Sequence, residues 1–174
     1  MTRQHGALSN PYRRAVVRTT LFPESVPGDR SRYPAVVALA WFVGWGTAVH
    51  LRQGAYADTW GVASVVPELQ IAKAFGERGL VAVRYRFVGQ TQASFYRVAY
   101  LEVEPRMTGD PRLGSLREHA AALSARWTVL GVAGEGGALT VFVEEEVSRL
   151  HFRQLPVNDL IHASVTTAGL GLLF

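Results

Sequence analysis

Residues 34–51 read PAVVALAWFVGWGTAVHL, eighteen positions with no charged side chain when His50 is neutral, and with two tryptophans and three glycine or proline breaks. A spanning helix needs roughly 20 mostly apolar residues, so the run falls just short of one. Its composition argues against a helix more firmly. Ala35, Val36, Val37, Leu39, Trp41, Phe42 and Val43 are β-formers or neutral, whereas Gly44 and Gly46 would each weaken a helix interior by about 1 kcal/mol. The stretch reads as a buried strand that breaks at Gly44-Trp45-Gly46 and resumes at Thr47-Ala48-Val49. No second apolar run of this length occurs, and the first residues lack the basic, apolar and small-residue order of a signal peptide. The expectation is a soluble protein with no membrane partner.

Outward from that stretch, short apolar runs recur. In VAVRYRFVG, Val81, Val83, Tyr85 and Phe87 alternate with Ala82, Arg84 and Arg86, a period of two that marks a strand. SFYRVAYLEVEP alternates in the same way, and GQTQA (Gly89 to Ala93) between them has hairpin length. A second hairpin is signalled by GEGGA, Gly134 to Ala138, between WTVLGVA and LTVFVEEE. Two segments break the pattern. PELQIAKAFGERG opens on Pro67, spaces Leu69, Ala72 and Phe75 by threes and stops at Gly76 or Gly79, which predicts a short helix. DPRLGSLREHAAALSARW predicts a longer one, with Asp110 as N-cap, Pro111 behind it and Leu113, Leu116, Ala120 and Leu123 on one stripe.

The chain of 174 residues suits one domain preceded by an arm. The first 22 residues hold Arg3, Arg13, Arg14 and Arg18 and no acid, and a connector punctuated by Pro23, Pro27, Gly28 and Pro34 follows. The expected division is an arm and connector over 1–33 and a β-sandwich over 34–174. Seventeen of the eighteen cations are arginine and the net charge is +4. A basic arm of this kind points to non-specific contact with nucleic acid through Arg3, Arg13, Arg14 and Arg18. Charged residues make up only 18% of the chain, against about 25% in an ordinary domain, so part of the apolar surface is expected to meet other copies of the chain.

Enzymatic signatures are missing. The absence of cysteine excludes disulfides and thiolate chemistry, and His5, His50, His119, His151 and His162 show no metal-ligand spacing. No GxSxG, P-loop or HExxH occurs, and the expected protein is not an enzyme and has no cofactor. The run Glu144-Glu145-Glu146 is the one candidate cation site, for a structural Ca²⁺ at a subunit interface, because hard cations take several oxygen ligands.

Eight strands with one short helix before the central hairpin and another after it form the layout of the single jelly roll. Residues 67–111, PELQIAKAFGERGLVAVRYRFVGQTQASFYRVAYLEVEPRMTGDP, together with the basic arm and the apolar ending LIHASVTTAGLGLLF, resemble the single jelly-roll coat proteins of small icosahedral RNA and satellite viruses. The resemblance implies an all-β fold, an eight-stranded single jelly-roll sandwich with two short helices. It further implies a capsid subunit that self-assembles as a symmetric homo-oligomer, encloses nucleic acid and resides in the virion, passing through host cytoplasm during assembly. Two other readings suit the same pattern: a bacteriophage tail, neck or head-decoration protein, and a small β-barrel enzyme or ligand-binding module.

Overall fold

The computed structural model describes residues 1–6, 8–10, 12–131, 137–154 and 159–173. Its strands are β1 (Thr2–His5), β2 (Arg14–Val17), β3 (Thr20–Pro23), β4 (Asp29–Gly44), β5 (Thr47–Asp58), β6 (Ala63–Phe75), β7 (Gly79–Gln90), β8 (Leu116–Leu130), β9 (Ala138–Phe152) and β10 (Leu160–Leu173). The fold is all-β, as the alternation predicts. One sheet runs β1-β4-β5-β6-β7-β8-β9-β10, and β2 and β3 form a separate hairpin. Every neighbouring pair in the large sheet is antiparallel. From β4 onward the order in space is the order in sequence, a meander. The strands of a jelly roll instead divide between two facing sheets joined by crossing connections, an arrangement that does not appear among the described residues.

The 34–51 stretch is a hairpin, with Trp41 opposite Val49 and Leu39 opposite Leu51. Its turn is the Gly44-Trp45-Gly46 break, where φ is 111°, 47° and 72°. Positive φ at both residues of a two-residue loop is what a tight hairpin requires, and it follows the right-handed twist of the strands.

The two expected helices are strands. Residues 67–75 lie inside β6, where Leu69 and Ile71 face one side and Glu68, Gln70 and Ala72 the other. Only the first residues of the 110–127 segment wind, as a 3₁₀ turn over Pro111–Leu113 capped by Asp110, and the remainder is β8. The helix-favouring Ala, Leu and Glu of that stretch are overridden by two complete ladders, to β7 and to β9. The alternating segment 94–104 forms no strand of the sheet, because Phe95, Tyr96 and Tyr100 are drawn into packed clusters. Gly134 to Gly136 of the second predicted hairpin lie outside the described residues; the flanking strands pair with Leu130 opposite Leu139.

The packed clusters lie at one end of the sheet. Trp60, Val62, Ala93, Phe95, Tyr96 and Leu113 form one, with the Trp60 and Phe95 rings edge to face at 5.4 Å. Ala15, Val17, Tyr100 and Met107 form the other. Within the expected arm and connector, β1 pairs with β4 in the large sheet and β2 and β3 form a packed hairpin, and position 33/34 lies inside β4. Among the described residues, the hydrophobics that the large sheet buries are small: Ala72, Ala82, Ala120, Ala122 and Ala138.

Candidate functional site

Seven consecutive strands of 12 to 16 residues, β4 to β10, present two faces of opposite character. The register puts Trp41, Val49, Ile71, Val83, Leu123, Glu145 and Thr166 in one row, and Leu39, Leu51, Leu69, Tyr85, Ala121, Val147 and Ser164 in the next. This first face is apolar and open. Val37 is 64% exposed, Leu39 65%, Trp41 73% and Leu170 72%. The burial expected for the 34–51 stretch is thus contradicted, since among the described residues no layer packs over it. Towards the clustered end the face turns polar, with His119, Arg149 and His162 in one row and Arg117 and His151 in the row beyond. Glu145 is the acid within the apolar rows, and it accepts hydrogen bonds from the Ser164 and Thr166 hydroxyls of β10.

The second face is polar and lined by small residues at its centre, while its flanks carry exposed apolar side chains, Val36 and Phe42 on β4 and Ile161 and Val165 on β10. Arg84 Nη2 donates to Glu144 Oε1 at 2.8 Å and to Glu146 Oε2 at 2.7 Å. Arg86 Nη2 donates to Glu118 Oε1 at 3.1 Å and Glu146 Oε1 at 3.3 Å. Arg52, Glu68 and Arg86 follow one another across β5, β6 and β7. Alanines at 120 and 122 open the space across which β7 arginines reach β9 glutamates. The side chains are half-buried, and two arginines are joined to three glutamates in one network of charged hydrogen bonds.

The predicted cation site divides between the faces. Glu144 and Glu146 point to the polar side and are paired with arginines, while Glu145 points the other way. Alternation along a strand has period two, so three successive side chains cannot converge on one ion. Among the described residues no three acidic or imidazole side chains converge elsewhere.

The predicted nucleic-acid arginines serve varied local roles. Arg13 pairs with the Asp110 carboxylate, and Arg18 Nε donates to the Leu101 carbonyl at 2.9 Å, so both fasten the N-terminal residues to the 96–114 segment. Arg14 Nη1 donates to the Arg13 carbonyl at 2.9 Å, and Arg3 lies on β1 opposite Ser31.

A residue that sequence reasoning missed is Asp58, whose side chain is fully enclosed. Its Oδ2 accepts from Arg30 Nε at 2.8 Å and from the Tyr56 hydroxyl at 2.7 Å; its Oδ1 accepts from the Trp60 and Val62 backbone N–H groups at 2.9 and 3.0 Å. The Arg30 guanidinium also lies 4.4 Å from the centre of the Trp60 ring. Burial works to raise the Asp58 carboxyl, but the hydrogen bonds from Tyr56, Arg30 and Val62 and the Arg30 charge hold it below its ordinary value. The signal in sequence was the D-T-W-G turn, where an Asp accepts from backbone two residues on.

No protein-family model, curated protein or solved structure matches this chain. No helix among the described residues is long and apolar enough to cross a membrane, which leaves crossing by strands open. The arrangement is physically suited to separating an apolar medium on one side of the sheet from a polar lining on the other.

Proposed function

We propose that the chain is a membrane-embedded β-sheet protein, the wall of a small antiparallel barrel whose apolar face meets lipid and whose charged face lines the interior. The observation that carries this is the alternation of exposed apolar and half-buried polar or small residues through the four consecutive strands β6 to β9, extended on the first face by the exposed Val37, Leu39 and Trp41 of β4. Water disfavours such a face by about 25 cal/mol for each Å² left exposed, and a soluble monomer rarely keeps a contiguous patch beyond a few hundred Å².

Dimensions agree. A twelve-residue strand is about 40 Å long, and at a tilt of about 40° it spans about 30 Å, the thickness of a hydrocarbon core. At one end the connections are Trp45-Gly46, Gly76 to Arg78 and residues 131–137; the other end holds residues 59–62 and the much longer 91–115, beside which the β2–β3 hairpin gathers. Membrane barrels have the same asymmetry between their two rims. Asp58 and the aromatic clusters lie at the long-loop rim, outside the apolar band. The paired charges on the second face favour a filled interior over an open channel, since an eight-stranded barrel is about wide enough for side chains alone.

Flotation tests this reading. Protein refolded with phosphatidylcholine vesicles should rise with the lipid through a density gradient and resist extraction by alkaline carbonate. Recovery of detergent-free, homogeneous particles at the bottom of the gradient would overturn it. That outcome would support the second reading, a self-assembling shell or ring subunit, which is favoured by one feature: copies of the chain could cover the same apolar face.

A further inference from the structure

Just beyond the apolar rows, on the same face, strands β8 to β10 carry basic side chains. Arg117, His119, Arg149 and His162 all stand exposed there. Among the described residues, neither Arg117 nor Arg149 makes an ion pair or a side-chain hydrogen bond. Asp159, the acid that precedes β10, is paired with His151 Nε2 at 3.2 Å. The opposite end of the apolar band is different. It carries the exposed Trp45 and Trp127, and Lys73 Nζ donates to the Trp45 carbonyl.

Beside Arg117 the face is hollowed. Ala55, Val65, Gly89 and Arg117 form one row across β5 to β8. Gly89 and Ala55 put little or no side chain into the space beside Val65 and Phe87, and the resulting groove of about 550 Å³ is bordered by Arg117 and Arg153. Among the described residues no carboxylate lines it. Two rows further in, a second hollow of about 250 Å³ between Leu51, Leu69 and Tyr85 continues along the same strands towards the middle of the apolar band.

An unpaired guanidinium at the edge of an apolar band lies at the height of lipid headgroups, and its planar fork matches the oxygens of a phosphate. In a zwitterionic headgroup the lipid's own ammonium already answers that phosphate. An anionic headgroup leaves the phosphate charge free, so unpaired arginines favour it.

We propose that this groove seats an anionic phospholipid, its phosphate on Arg117 and Arg153 and one acyl chain lying over Gly89 and past Phe87 towards Leu69. This rests on the membrane reading above and names the lipid that the apolar face selects.

The protein is refolded into phosphatidylcholine vesicles, its insertion is checked by flotation, and a trace of spin-labelled phosphatidylglycerol or spin-labelled phosphatidylcholine is added. Electron paramagnetic resonance reads how much of each label is immobilised at the protein surface. Phosphatidylglycerol should be held on the order of fivefold more tightly than phosphatidylcholine. Arg117→Gln with Arg153→Gln should remove most of that preference. Arg78→Gln with Arg126→Gln, which takes away the same charge at the far end of β8, should leave it unchanged. Equal retention of the two lipids by inserted protein would sink this proposal and leave the membrane reading intact. So would an equal fall in both double variants, which would mean attraction to the overall charge, or a preference that survives the loss of Arg117 and Arg153. Immobilisation of neither label, at doubled mass by cross-linking, would assign the groove to a second copy and also overturn it. Failure of the parent protein to float would remove both readings.

Discussion

Gly131 follows β8 with φ of 74°, and a Cβ added there would lie 2.0 Å from the Gly137 carbonyl oxygen. The obstacle is backbone, which cannot swing aside. Gly131→Ala is expected to lower stability by about 1–3 kcal/mol in chemical unfolding monitored by circular dichroism. Glu146 is the residue that binds both Arg84 and Arg86 on the polar face. Replacing it by Gln removes the charge from two half-exposed pairs, and the expected loss is about 1–3 kcal/mol, reduced by salt, in the same measurement. An unchanged midpoint would show that Arg84 is held by Glu144 alone. Asp58 gives a pH dependence. Its carboxyl sits below the usual value in the folded protein, so the stability it supplies is complete above the unfolded value near pH 4 and is lost as pH falls through the folded one. Asp58→Asn should flatten the fall in stability below about pH 4, and an identical acid limb would contradict the assignment.

At the scale of the elements, Pro67 is instructive. It sits in the central strand β6, and the β6–β7 pairing skips Val66 and Pro67 while the β5–β6 pairing runs through Gln53 opposite Pro67. The missing N–H therefore faces β7. Pro67→Val should supply that ladder bond and raise stability by about 1 kcal/mol. A loss would mean that the gap is needed for the local bend. The same residue explains why the sequence misled. Pro at a presumed first helical position, followed by Glu and an apolar spacing of three, matched a helix start, yet Leu69 and Ile71 against Glu68 and Gln70 carried the period of two as well. Neighbouring ladders decide between two such periods, and a single segment does not contain them. VAVRYRFVG and the Gly44-Trp45-Gly46 break were legible because only one period, or one turn geometry, fitted each. Residues 94–104 alternated too, but their aromatics find a better place beside Trp60, Ala15 and Met107 than in a ladder.

On the scale of the whole molecule, alternation reveals that a sheet has an apolar face without revealing what that face meets. The 34–51 stretch was legible as strand, turn and strand, and its burial was not, because burial depends on whether a second layer exists. Here the candidate layers are spent elsewhere: the aromatic residues outside the sheet pack against each other at one rim, and the second face is occupied by Arg84, Arg86 and their glutamates. What remains to cover Val37, Leu39, Trp41 and Leu123 is lipid or another copy. The tryptophans distinguish the two directly. Trp41, Trp45 and Trp127 are exposed at the apolar face and its turn, whereas Trp60 is 6% exposed within the rim cluster. In vesicles of phosphatidylcholine brominated along the acyl chain, tryptophan fluorescence should be strongly quenched, Trp41→Phe and Trp127→Phe should each remove part of the quenched signal, and Trp60→Phe should remove only unquenched signal. Fluorescence that is indifferent to the brominated lipid, from protein that remains folded in water without detergent, would contradict the account.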